Sequence, residues 1–278
     1  MRWSELRLAA DHFLNTTSKA LSYLTITRKE KNMSTNLVLI SGVLSKHELR
    51  YTPKATPVLE VFLVGKRSVT ENHVFFRADL TFYGKMAEHL ADQLADGQAY
   101  QAVGRLVYET WDSDGVKGSR LRIVGEELFK LESADIRTEE KGPVLYGALN
   151  RVILTGGLTA DPEFRQTSLQ TPVARASLGF SSWNASAKQA RSHYLELEAW
   201  RDLAEQFAGL KKGSQLLLEG ALKTEVWEDQ ETKARRYKRV LEVQRLTPLA
   251  RIRSAERSPD GPGPVKNNAR PKAKTSST

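Results

Sequence analysis

The sequence predicts an all-β chain with short helices, arranged as two tandem five-stranded Greek-key barrels, and three observations lead there. The chain repeats itself once. Each copy alternates apolar and polar residues with a period of two, and each carries one short helical stretch.

The repeat is the strongest of the three. Asn36-Leu37-Val38-Leu39-Ile40-Ser41-Gly42 is echoed by Asn150-Arg151-Val152-Ile153-Leu154-Thr155-Gly156. Gly104-Arg105-Leu106, with Trp111 seven residues past the glycine, is echoed by Gly220-Ala221-Leu222, with Trp227 seven past. Between these anchors Tyr83-Gly84 pairs with Trp200-Arg201, and Gly97 with Gly213. The offsets are 114, 116, 117 and 116 residues, a co-linear series that chance does not readily supply. A length of 278 residues accommodates two such domains with flanks.

Strands follow from the alternation. Phe76, Ala78, Leu80 and Phe82 interleave with Phe75, Arg77, Asp79, Thr81 and Tyr83. In the second copy Leu195, Leu197 and Ala199 interleave with Tyr194, Glu196, Glu198 and Trp200. The helical stretch comes next. Met86, Leu90 and Leu94 recur at four-residue steps before Gly97, and Leu203, Phe207 and Leu210 follow one another at steps of four and three before Gly213. Three strands, a helix and two strands in about 100 residues match a small barrel of the OB type.

The boundaries follow from composition. Residues 36–132 and 150–250 are the two OB domains, and 133–149 reads as a polar linker. Residues 251–278 carry four prolines and almost no large apolar side chain, so a disordered basic tail is expected. Residues 1–35 read as a poorly ordered extension without the apolar block of a secretory signal, and Met33 offers a second possible start. The net charge of +9 divides into +5 on the tail, +3 on the extension and +1 on the residues between. A nucleic-acid surface inside the folded part therefore needs segregated charge, and basic tails on a solvated surface are the alternative. The absence of cysteine excludes disulfides, thiolate catalysis and cysteine-bound metal, and it fits a reducing cytoplasm. No stretch is long and apolar enough to span a membrane.

Alternation also sorts the rings. With Leu106 inward, Arg105, Val107, Glu109 and Trp111 face outward; with Leu222, Thr224 and Val226 inward, Lys223, Glu225 and Trp227 face outward. Tyr194 and Trp200 share a face with Glu196 and Glu198. Large rings among charged groups are poor core candidates and good stacking platforms for unpaired bases. Arg120 and Arg122, with Arg236 and Lys238 at the same offset in the second copy, put cations on that side, as does Arg175. Trp183, in a loop, is a further candidate ring. The competing readings are cross-strand packing or an interface for Trp111 and Trp227, and a barrel-bottom cover for Tyr83 and Trp200.

An enzyme is not expected. The five histidines lack metal-ligand spacing, Gly84-Lys85 lacks the upstream glycine of a P-loop, and Glu196 and Glu198 have no accompanying nucleophile. No metal or cofactor is expected.

Asn150-x-Val152-x-Leu154-x-Gly156-x-Leu158-x-x-Asp161-Pro162-Glu163-Phe164-Arg165 resembles the opening of bacterial single-stranded DNA-binding proteins (SSBs). Ala199-Trp200-x-x-Leu203-Ala204-Glu205, Leu210-Lys211-Lys212-Gly213 and Glu219-Gly220-x-Leu222 followed by Trp227 extend the likeness. The first copy matches through Glu48-Leu49-Arg50-Tyr51-Thr52-Pro53 and Tyr83-Gly84-Lys85, and it lacks the Asp-Pro pair. Two such domains in one chain resemble the Deinococcus–Thermus type. This resemblance implies binding to single-stranded DNA in replication, recombination and repair, association with the nucleoid, and replication and repair proteins as partners. It also implies four OB domains per assembly, hence a homodimer. Stacking positions would fall on Trp111, Trp227, Tyr83, Trp200 and Tyr194, with Arg77 where the first copy would have the last of these. The family's acidic tail closing on Pro-Phe has no counterpart in the basic end Lys272–Thr278. The alternative is an accessory paralogue in which the first domain serves dimerisation or protein interaction and only the second binds single strands.

Overall fold

The computed structural model describes residues 34–113, 116–184, 189–228, 230, 233 and 235–250, excluding the side chains of 110–113, 116–119, 183, 184, 189, 190 and 236. Most of the expected N-terminal extension and the whole expected C-terminal tail lie outside the described residues. The first barrel comprises β1 (Asn36–Tyr51), β2 (Pro57–Val69), β3 (Asn72–Tyr83), α1 (Lys85–Ala91), β4 (Ala99–Ser113) and β5 (Val116–Lys130). After β6 (Ile136–Glu139) and β7 (Gly142–Tyr146), the second comprises β8 (Asn150–Leu158), β9 (Glu163–Gln166), β10 (Pro172–Asn184), β11 (Gln189–Trp200), α2 (Asp202–Ala208), β12 (Gln215–Glu228) and β13 (Arg235–Pro248).

Each barrel closes on itself. The first runs β1-β2-β3-β5-β4-β1, closed by the parallel pair of Leu80 with Ile123 and Thr81 with Val124. The second runs β8-β10-β11-β13-β12-β8, closed by the parallel pairing of 196–198 with 240–242. This is the strand order of an OB fold. Alternation explains the filling: Phe76, Ala78, Leu80 and Phe82 of β3 are buried, as are Leu195, Leu197 and Ala199 of β11.

Repeat anchors mark the points where geometry is most demanding. β5 and β13 each bulge by one residue, Glu126 and Gln244, opposite the glycines Gly104 of β4 and Gly220 of β12, where a Cβ would come within 2.4 Å of Val124 O and 2.3 Å of Glu242 O respectively. Asn36 uses its side-chain amide as an extra ladder rung, donating to Leu106 O at 2.9 Å and accepting from Leu106 N–H at 2.8 Å. Asn150 does the same to Leu222, at 2.8 and 3.0 Å. Entry to each helix needs a positive φ, 65° at Gly84 and 55° at Arg201, with both amides bonded 2.9 Å to a proline carbonyl. The copies diverge at Asp161-Pro162. Proline cannot donate to a ladder, so the strand that is continuous in β1 is split into β8 and β9.

The barrels are fused. β1 pairs antiparallel with β8, with Val38 opposite Val152, producing one 13-stranded sheet. Arg67–Glu242 at 2.6 Å and Arg239–Asp79 tie the barrels further, and Arg239 Nη1 donates to Leu121 O at 3.1 Å. The expected polar linker is largely structured: β6 and β7 form a hairpin whose β7 pairs with β2. Lys66 reaches both Glu139 and Tyr146 there, while the Arg137 guanidinium lies 4.2 Å from the Tyr146 ring centroid.

Candidate nucleic-acid interface

The outer face of the second barrel is built from one strand register. Trp200 sits opposite Val173, Glu198 opposite Arg175 and Tyr194 opposite Gly179. On the adjoining hairpin Lys223 sits opposite Val240, Glu225 opposite Lys238 and Trp227 opposite Arg236. Period-two geometry therefore assigns these residues to a single surface. The rings are open: Trp227 is 46% exposed, Tyr194 53% and Trp200 39%. Tyr83 of the first barrel, 39% exposed, donates its hydroxyl to Glu109 Oε1 at 3.2 Å. Burial, then the Glu109 charge, pushes the Tyr83 hydroxyl above its ordinary pKa, so it stays protonated. The side chains of Trp111, Trp183 and Arg236 lie outside the described residues.

A buried carboxylate organises the centre. Glu198 is 2% exposed; it accepts the Trp200 Nε1–H at 2.8 Å, takes Lys223 on the same oxygen, and meets Arg175 at 3.2 Å. Burial alone would raise its pKa. Lys223, the indole N–H and Arg175 outweigh that and hold it below the usual carboxylate range. The Trp200 ring is thus oriented by a charged hydrogen bond rather than left to rotate. Arg175 and Lys223 also share Glu225, at 3.3 and 3.4 Å, and Lys238 pairs with Glu196.

The first barrel repeats this plan with different partners and corrects one expectation. Arg122, expected as an outward phosphate ligand, is on the outer face but buried beneath its neighbours. It donates to Thr81 Oγ1 at 2.8 Å, lies 3.4 Å from Glu60, and places Nε 2.5 Å from Glu109 in an ion pair off the N–H axis. It is a structural cation. Arg120 stays exposed, 3.6 Å from Glu109, and Arg105 pairs with Glu126 at 2.9 Å. A second expectation also changes: Thr224 and Val226 are exposed instead of inward, because the β12–β13 hairpin extends past the barrel. On that arm Val226 pairs with Tyr237, a ring 64% exposed. Period two assigns Tyr237 to the face opposite Arg236 and Lys238, and only the departure of the arm from the barrel makes that face an exposed one.

His193 is fully buried and serves the junction. Its Nδ1 accepts the Tyr108 N–H at 2.9 Å, across the two barrels, and its Nε2 lies 2.6 Å from Ser182 Oγ. Burial first, then the charges of Arg105 and Arg191, lowers its pKa, so the neutral ring carries its proton on Nε2. Among the described residues no group of three or more His, Cys, Asp or Glu is placed to hold a metal, and no helix is long and apolar enough to cross a membrane.

Two closed OB barrels sharing one sheet, with open rings interleaved with cations on an outer face, define a tandem OB-fold binding protein. The profile of the Single-strand binding protein family matches residues 149–249. The single-stranded DNA-binding protein of Thermus aquaticus is 36% identical over 201 residues, 69% of this chain and 76% of that protein. Its counterpart in Deinococcus radiodurans is 31% identical over 229 residues, 78% of this chain and 76% of that one. The crystal structure of the wild-type Thermus aquaticus protein superposes with a TM-score of 0.63 at 32% identity, over 79% of this chain and 95% of that one. The chain belongs to the single-strand binding protein family.

Proposed function

We propose that this protein binds single-stranded DNA without sequence preference and without catalysis. Bases stack on Trp227, Trp200 and Tyr194 of the second barrel and on Tyr83 and Trp111 of the first, with Trp183 as a further ring. Phosphates meet Arg105, Arg120, Arg175, Lys223, Arg236 and Lys238. The observation that carries this reading is the open Trp227–Tyr194–Trp200 surface, whose rings share one register with cations and are 39–53% exposed. Rings accept any base because every base has a π-face, which explains binding without sequence readout. The names of the relatives point the same way.

The role is protection of exposed strands in replication, recombination and repair, on the nucleoid of the cytoplasm, with replication and repair proteins as partners. Two barrels per chain would give a homodimer with four OB domains. The two binding domains span 36–132 and 150–250, joined by the hairpin-bearing connector.

The test is titration of the full chain with oligo-dT by tryptophan quenching across a salt series, alongside mass in solution. Binding that weakens with salt is expected, and Trp227→Ala loses about 1–3 kcal/mol of affinity with little change in melting, because its ring is exposed. Absence of both quenching and a salt slope overturns the reading.

A further inference from the structure

We propose that Tyr108 of the first barrel and Tyr194 of the second form one composite base-binding site that spans the barrel junction and occurs once per chain. The proposal rests on the single-strand reading above and adds to it a residue, Tyr108, and a place where the strand crosses between barrels.

The two rings meet edge to face, centroids 6.5 Å apart and planes at 89°. In such a pair at least one ring keeps both faces clear of the other, so a base can lie parallel to it while the partner closes the side. Tyr194 is open to solvent, and Tyr108 is half-buried beside it. The position is fixed in advance. The Tyr108 amide is held by His193 Nδ1, the residue next to Tyr194, and His193 is locked on its other nitrogen by Ser182. Two positions earlier, the Leu106 amide is held by Asn36. A backbone held this way leaves only the side-chain torsions of Tyr108 to be fixed when a ligand arrives, which favours binding.

The repeat shows that the site is not duplicated. Counting from the glycines that face the bulges, Tyr108 stands four residues after Gly104, and Thr224 stands four after Gly220. Counting back six from the end of the third strand, Tyr194 precedes Trp200 where Arg77 precedes Tyr83. The equivalent positions on the other side of the junction are thus a threonine and an arginine. The Arg77 guanidinium lies instead 5.7 Å from the centroid of Phe75 on its own strand. One crossing between barrels offers two rings and the other a cation. A single strand wrapping both barrels therefore meets chemically different junctions, and the barrels are not interchangeable along its path.

The test uses the full chain and an oligo-dT of about 32 nucleotides, long enough for two OB folds. Tyr108→Ala is expected to weaken binding by about 5- to 150-fold, with Tyr108→Phe close to the unaltered protein. In parallel, the unaltered protein is irradiated with a 5-bromodeoxyuridine oligonucleotide, and cross-links at both Tyr108 and Tyr194 are expected. This readout does not depend on how well the variants fold. Cross-links at Trp227 with none at Tyr108 overturn the composite site and leave the single-strand reading standing, as does unchanged affinity in Tyr108→Ala. No binding and no cross-link anywhere overturns both.

Discussion

Glu198→Gln separates the two tasks of the platform, orienting a ring and masking cations. The change keeps the shape of the side chain and removes its charge. Arg175 and Lys223 face two carboxylates, Glu198 and Glu225, so the local charge is balanced in the free protein. With glutamine at 198 one cation becomes available to phosphate. On single strands each neutralised phosphate steepens the salt slope by about 0.7; taking the contact as neutral at 1 M, the gain is about five-fold at 0.1 M salt and about 13-fold at 25 mM. Stability moves the other way. Charge-assisted hydrogen bonds contribute about 1.5–3 kcal/mol, and the loss falls at or below the lower end because Arg175 and Lys223 remain half and one-third exposed. Glu198 has a folded pKa below its unfolded value. Its contribution to stability is therefore complete above the ordinary carboxylate range and disappears as pH falls through the folded value, a loss the glutamine variant does not show. Oligo-dT titrations from 25 to 400 mM salt, with denaturation at pH 7 and pH 4, read all three quantities. A folded variant with unchanged slope and equal or weaker affinity would refute the masking argument.

Two further outcomes follow from single side chains. Arg201 occupies a φ of 55° where the first copy has Gly84, so Arg201→Gly relieves strain and is expected to stabilise by about 1 kcal/mol, or roughly 2–4 °C in melting temperature; a lower melting temperature contradicts this. His193 is held neutral with a lowered folded pKa, so its contribution is full above about pH 6.5 and is lost as acid protonates the folded ring and breaks its bond with Tyr108 N–H. Melting should therefore fall between pH 7 and pH 5 more steeply than in His193→Gln, and equal slopes would dismiss the role.

Much of the fold was legible because the repeat marks positions that geometry constrains twice. Asn36 and Asn150, Gly104 and Gly220, and Gly97 and Gly213 are matched in sequence because each pair meets the same backbone demand in both barrels. Strand alternation placed Leu80, Phe82, Leu195 and Leu197 correctly, since period two follows from the pleat. It could not say what lies above a face. Arg122 points outward as expected, yet Glu60, Thr81 and Glu109, from three other strands, converge on it, and such convergence is a tertiary fact. Nor does period two announce where a strand leaves its barrel, which is why Val226 and Tyr237 are exposed. In the connector, Gly142, Pro143 and a run of charges hid a hairpin whose buried apolar residues are Val144 and Leu145. Trp227, Trp200, Tyr194 and Tyr83 were legible as rings on a charged face; the ion pairs around them join residues up to 62 positions apart and were not.

Those ion pairs bear on what supplies affinity. Arg105, Arg120, Arg175, Lys223 and Lys238 all lie within 3.6 Å of a carboxylate. A phosphate arriving at any of them exchanges one anion for another, so fewer counterions are released than the number of cations would suggest. Stacking then carries a larger share, and stacking tolerates every sequence. The fused sheet strengthens the same logic. With β1 laddered to β8, the second barrel is already placed when a strand engages the first, so its binding becomes intramolecular and needs no further search. Contacts that are modest in each barrel therefore reinforce one another across the laddered pair.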